Sequence, residues 1–186
     1  MRNVALPRII QSTESSNRIE GITVSPQRLQ SVMKEKSPPK DRSEAEVAGY
    51  RDVLRTIHES HSYISIRTNT VQQLYRDLMA YVGSSRGGAW KSADNVIEET
   101  LPSGEKWTRF VPTPAWQTAG AMESLCRKFD IARDLGNFPD IILIAAFIID
   151  FLCIHPFPQT VSIALAISWW VHGRKIYQPR KNYRRY

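Results

Sequence analysis

The stretch "FPDIILIAAFIIDFLCIHPFP" (138–158) decides how the rest of the chain is read. Its apolar run from Ile141 to Ile149 is nine residues long, against the roughly 20 that a membrane span needs. Asp150, His155 and two prolines separate it from a second apolar run that ends at Ser168, Trp169 and Trp170, and that run is also too short. The expected element is therefore a buried core helix that stops at His155-Pro156, and no membrane partner is expected.

Upstream, "PAWQTAGAMESLCRKFDIARD" (114–134) reads as another helix. Before it, "NVIEETLPSGEKWTRFVPTP" (95–114) holds two short strand-like pieces around a Pro-Gly turn, the pattern of a β-hairpin. Two helical patterns come earlier. "SEAEVAGYRDVLRTIHESH" (43–61) spaces Val47, Tyr50, Val53, Leu54 and Ile57 on one face. "TNTVQQLYRDLMAYV" (68–82) does the same with Val71, Leu74, Leu78 and Met79. Residues 1–43 are polar and mixed, with "SPPKDRS" (37–43) as a linker-like stretch. Within them "STESSNRIEGITVSPQRLQSVM" (12–33) contains a short helical pattern, with Ser16 as a cap, Glu20 in the last turn and Gly21 as a stop. There is no internal repeat.

A chain of 186 residues suits one domain with a sizeable core. Cys126 and Cys153, the two cysteines, have no metal-ligand spacing and fit a reducing compartment. The opening "MRNVALPRII" has no sustained apolar segment of the secretory kind, so a cytoplasmic location is expected. The net charge of +7 is concentrated at one end: Arg174, Lys175, Arg180, Lys181, Arg184 and Arg185 lie in the last 13 residues, and no Asp or Glu follows Asp150. Without residues 159–186 the balance is 19 basic against 18 acidic residues. The charge belongs to a tail, no nucleic-acid motif accompanies it, and no specific nucleic-acid partner is expected.

Two short motifs carry chemistry. "SNRIEG" (16–21) resembles the [S/T]-x-x-x-E-[G/N] inhibitory motif of Fic-domain proteins, and "CIHPFP" (153–158) resembles the opening of the Fic signature H-P-F-x-[D/E]-G-N-G-R. Their order, with helices, a hairpin and an apolar helix between them, fits the class whose inhibitory helix is N-terminal. The resemblance covers about residues 8–158. It implies a mainly α fold: a truncated Fic-type helical core with a small β-hairpin flap. It also implies protein adenylyltransferase chemistry, the transfer of AMP from ATP with Mg²⁺ to a protein hydroxyl. In that chemistry His155 matches the general base, Pro156 and Phe157 its fixed neighbours, and Glu20 the inhibitory carboxylate flanked by Ser16 and Gly21. The flap hairpin would hold a target protein by strand addition. Three segments follow: 1–42 with the inhibitory-type helix at about 14–21, 43–158 as a partial Fic domain, and 159–186 as an aberrant basic tail.

The signature does not finish. Where the acid, glycines, Asn and Arg are expected after Pro158, the chain has Gln159, Thr160, Val161 and Ser162. That leaves no metal ligand, no Gly-rich anion cradle and no phosphate-binding Arg at those positions, and Glu20 loses its expected Arg partner. Codons permitted for Lys175–Tyr183, read one base out of frame behind an Arg174 codon ending in GG, give G-R-Y-I-S-L-E-K-I, which resembles the segment after the signature in Fic proteins. The expectation is an out-of-frame deletion of about the D-G-N-G codons, a tail translated in the wrong frame, and a catalytically dead chain. The alternative is a non-catalytic binding or regulatory protein that still uses the flap.

Overall fold

A computed structural model describes residues 24–60, 63–83 and 87–157, and of His58 its backbone alone. The described elements run α1 (Pro26–Met33), α2 (Arg42–Ser60), α3 (Thr68–Leu78), β1 (Ile97–Thr100), β2 (Lys106–Phe110), a 3-10 turn (Ala115–Gln117), α4 (Thr118–Leu135) and α5 (Asp140–Ile154). The fold is the expected mainly α core with one antiparallel hairpin.

Helix α1 begins where the side chain of Ser25 accepts the Arg28 N–H and Pro26 fills the first turn. The helical pattern expected at Ser16–Gly21 lies outside the described residues, and α1 follows it in the same polar stretch. Leu29, Val32 and Met33 of α1 close a small core with Val47 and Ala48 of α2. The Arg28 guanidinium forks onto Glu44, Nε to Oε1 at 2.7 Å and Nη2 to Oε2 at 2.6 Å. The Lys40 N–H adds a third hydrogen bond to this buried carboxylate at 2.8 Å.

Helices α2 and α3 pack so closely that a Cβ on Gly49 would lie 1.9 Å from the Leu78 carbonyl oxygen. Helix α3 stops at Leu78, short of the Val82 that periodicity suggested; turns through Gly83, in the left-handed region at φ 71°, replace its last part. The larger core joins Tyr50, Leu54 and Ile57 of α2, Val71, Leu74 and Tyr75 of α3, Met122, Leu125 and Phe129 of α4, and Phe147 and Phe151 of α5.

The hairpin stands away from this core. Glu98 faces Thr108, Glu99 faces Trp107 and Thr100 faces Lys106, with a bulge between Ile97 and Glu98. Every residue of both strands is exposed. The reversal uses Gly104 at φ 85°, whose N–H donates to the Leu101 carbonyl at 2.8 Å. Cross-strand ion pairs Lys106–Glu98 and Arg109–Glu99 hold the strands in register.

Helix α5 corrects one expectation. Apart from Asp140 and Asp150 it is apolar on every side, yet it is buried on one face only. Ile144, Phe147, Phe151 and Ile154 face the core, while Ile141, Ile142 and Ile149 are 61%, 54% and 60% exposed. The cause is that α4, its helical neighbour among the described residues, covers one side. No described helix is long and apolar enough to cross a membrane.

Candidate functional site

The site is built at the end of α5. Residues before a proline leave the helical region, so His155-Pro156 stops the helix. His155 caps it in the left-handed region at φ 50° and ψ 61°, its N–H donating to the Phe151 carbonyl at 2.9 Å. Among residues with a Cβ, histidine is one that tolerates this conformation best. The turn is locked from beyond by Phe157, fully buried, whose ring stacks on Tyr75 at 3.9 Å and lies 5.0 Å from Trp90. The half-buried His155 is thus anchored through the backbone on both sides.

The two stems of the hairpin are tied to this same helix end. On the first stem the Lys91 N–H donates to the Pro156 carbonyl at 2.9 Å, and its Nζ donates to the Ile154 carbonyl at 3.1 Å. On the second stem the Thr113 N–H donates to the Cys153 carbonyl at 3.3 Å. Three carbonyls around the helix terminus, left without intrahelical donors, are thereby satisfied. The stems also hold each other, the Ala115 N–H donating to Asp94 Oδ1 at 2.6 Å.

Electrostatics follow from this packing. Burial, and then the nearby Lys91 ammonium, hold the His155 imidazole below the ordinary histidine range. Burial likewise lowers Lys91, with Asp94 opposing. A neutral imidazole at pH 7 offers a lone pair that can accept a proton.

His155, Pro156 and Phe157 are thus brought together as one turn. Ser16, Glu20 and Gly21 lie outside the described residues, as do the positions from Pro158 onward. Lys91, Asn95 and Thr113 escaped the sequence reading. Lys91 and Ile154 are 63 residues apart, and no spacing rule links them. Among the described residues no three His, Cys, Asp or Glu side chains gather as a metal site.

The model of the Fic/DOC family matches residues 64–159 of this chain. No curated protein matches it. Solved structures do. A Fic domain containing signaling protein from Bacteroides thetaiotaomicron superposes with a TM-score of 0.75 at 18% identity, over 91% of this chain and 63% of that one. A Fic family protein from Desulfovibrio desulfuricans gives a TM-score of 0.74 at 15% identity, over 96% of this chain and 51% of that one. The chain therefore spans between about half and two thirds of the length of these two structures.

Proposed function

The chain belongs to the Fic/DOC family, and from that premise we propose that it carries the scaffold of an AMP transferase acting on protein hydroxyls, with the chemistry itself lost. The observation that carries this reading is the contrast at residue 157. Up to Phe157 the base-bearing turn is held on every side. After it, Gln159, Thr160, Val161 and Ser162 replace the acid, glycines, Asn and Arg of the signature.

In this reading His155 would take the proton of the incoming hydroxyl, which requires the neutral imidazole that burial and Lys91 favour. Glu20 would be the inhibitory carboxylate of an N-terminal helix that now lacks its Arg partner. When bound in a complete site, Mg²⁺ and ATP supply the transferable AMP and neutralise phosphate charge. The residues of this chain do not fit them: no carboxylate follows Asp150, and the cradle positions hold no glycine. Removing one charge-stabilising donor costs a rate factor of about 10² to 10³. Losing metal ligand, cradle and Arg together costs far more, so AMP transfer by this chain should be undetectable.

The origin we infer is a deletion out of frame, with residues 159–186 translated in the wrong frame. Support comes from the loss of acidic residues after Asp150 and the apolar face that α5 leaves exposed. The nucleotide sequence across codons 150–186 and beyond tests it. A shifted frame that reads on into further Fic-like helices is the expected result; a locus with no such frame overturns the deletion and favours real divergence.

A second reading is favoured by the hairpin. It stands out from the core, with Trp107 58% and Phe110 40% exposed, and could hold a target strand without modifying it. A pull-down partner that is lost when residues 96–110 are altered would support that reading.

A further inference from the structure

We propose that Lys91 is the positioning residue of this site: it fixes the backbone on both sides of His155 and places its ammonium near the imidazole. The inference rests on the reading of His155 as the base and adds the group that holds it ready.

The geometry is specific. Lys91 is only 8% exposed, an unusual state for a lysine. Its backbone N–H binds the Pro156 carbonyl at 2.9 Å, one residue after His155. Its ammonium binds the Ile154 carbonyl at 3.1 Å, one residue before. A single residue thus spans the left-handed turn from both sides. Among the described residues the ammonium has one further acceptor, Asn95 Oδ1 at 2.8 Å, which is neutral. Among the described residues no carboxylate hydrogen-bonds to it, and Asp94 acts on it only through space.

Burying a cation against two neutral acceptors costs stability unless the position repays it. A neutral side chain could cap the Ile154 carbonyl without that cost. What the charge adds is a field at the imidazole, which disfavours the imidazolium and leaves the ring able to accept a proton. Other charged groups on the surrounding elements are Asp94 on the same stem, Asp150 one turn earlier on α5, and Arg76 of α3 beside Gly88. Of the charged groups on the described residues, Lys91 is the one that acts on the His155 imidazole. Asn95 matters in the same way: an aspartate there would neutralise Lys91 and release the imidazole.

The test is an NMR titration of the His155 imidazole in the full chain, from about pH 4 to about pH 9, its signals identified by their loss in His155→Gln. Lys91→Gln keeps a donor for the Ile154 carbonyl and removes the charge. Its His155 midpoint is expected to rise by about 0.5 pH unit or more. Lys91→Arg keeps the charge and should stay within about 0.2 unit of the parent. An unchanged midpoint in Lys91→Gln, or equal shifts in both variants, would reduce Lys91 to a structural cap and overturn the proposal. Should Lys91→Gln fail to fold, Asn95→Asp replaces it, with a rise expected and no shift contradicting the inference. This readout needs no AMP transfer. If a frame-restored chain transferred AMP despite His155→Ala, the base reading would fail while the titration result stood.

Discussion

The ring of Phe157 lies 3.9 Å from that of Tyr75 with the planes 11° apart. This stack joins the turn after His155 to helix α3, and Phe151 and Trp90 close around the same ring. A phenylalanine that sequence resemblance marks as a fixed neighbour of His155 is thus a buried anchor whose loss would free the turn. Phe157→Ala is expected to cost about 3 to 5 kcal/mol of stability, read from urea unfolding. Phe157→Leu should cost clearly less.

Gly49 is the contact between α2 and α3. A Cβ there would meet backbone atoms of Leu78, which cannot swing away as a flexible side chain could. In an open helix an alanine would be favoured over glycine by about 1 kcal/mol. Here Gly49→Ala should instead destabilise by about 1 to 3 kcal/mol, because the helices must separate. A thermal midpoint equal to the parent's would show that the approach is looser than described.

The Arg28–Glu44 fork predicts an acid dependence. Chiefly through its hydrogen bonds with Arg28, the Glu44 carboxyl is held down to about 2. A carboxyl lower in the folded than in the unfolded chain stabilises the fold at pH values above the ordinary carboxylate range. That stabilisation fades as pH falls from about 4.5 toward about 2. Thermal midpoints of the parent should therefore drop across this window, and Arg28→Met should remove that component of the slope. Parallel curves for the two proteins would assign the acid sensitivity elsewhere.

The two cysteines should separate cleanly by reactivity. Burial, with Asp130 nearby, pushes the Cys126 thiol up to about 11, whereas Cys153 is exposed. The thiolate is the reactive form. A thiol reagent near pH 8 is expected to modify Cys153 in the folded chain and Cys126 only after denaturation. Mass spectrometry of the peptides reads the difference; rapid labelling of Cys126 would mean that the packing between α4 and α5 opens.

The sequence made some of this visible and hid the rest for physical reasons. The faces of α2 and α3 were legible because Val47, Tyr50, Val53 and Leu54, then Val71, Leu74 and Leu78, repeat at helical spacing and are buried. The hairpin was legible from its turn chemistry around Gly104. Helix α5 misled because, Asp140 and Asp150 apart, its residues are apolar on every side, so Ile141 and Ile149 could not be told from Ile144. Helix α1 was hidden in a polar stretch, its start signalled only by Ser25-Pro26. Within the site, His155 showed itself through its motif. Lys91 did not, because its role arises when the hairpin stem folds back onto the end of α5.

The proposed reading is a well-held His155 in a site that cannot complete AMP transfer. The most direct measurement is label transfer from α-radiolabelled ATP with Mg²⁺ to the chain itself and to candidate target proteins, comparing the parent with His155→Ala. The account predicts no labelling above that of His155→Ala. Robust labelling that His155→Ala abolishes would contradict it, and would mean that residues beyond Phe157 supply phosphate and metal contacts in some other way.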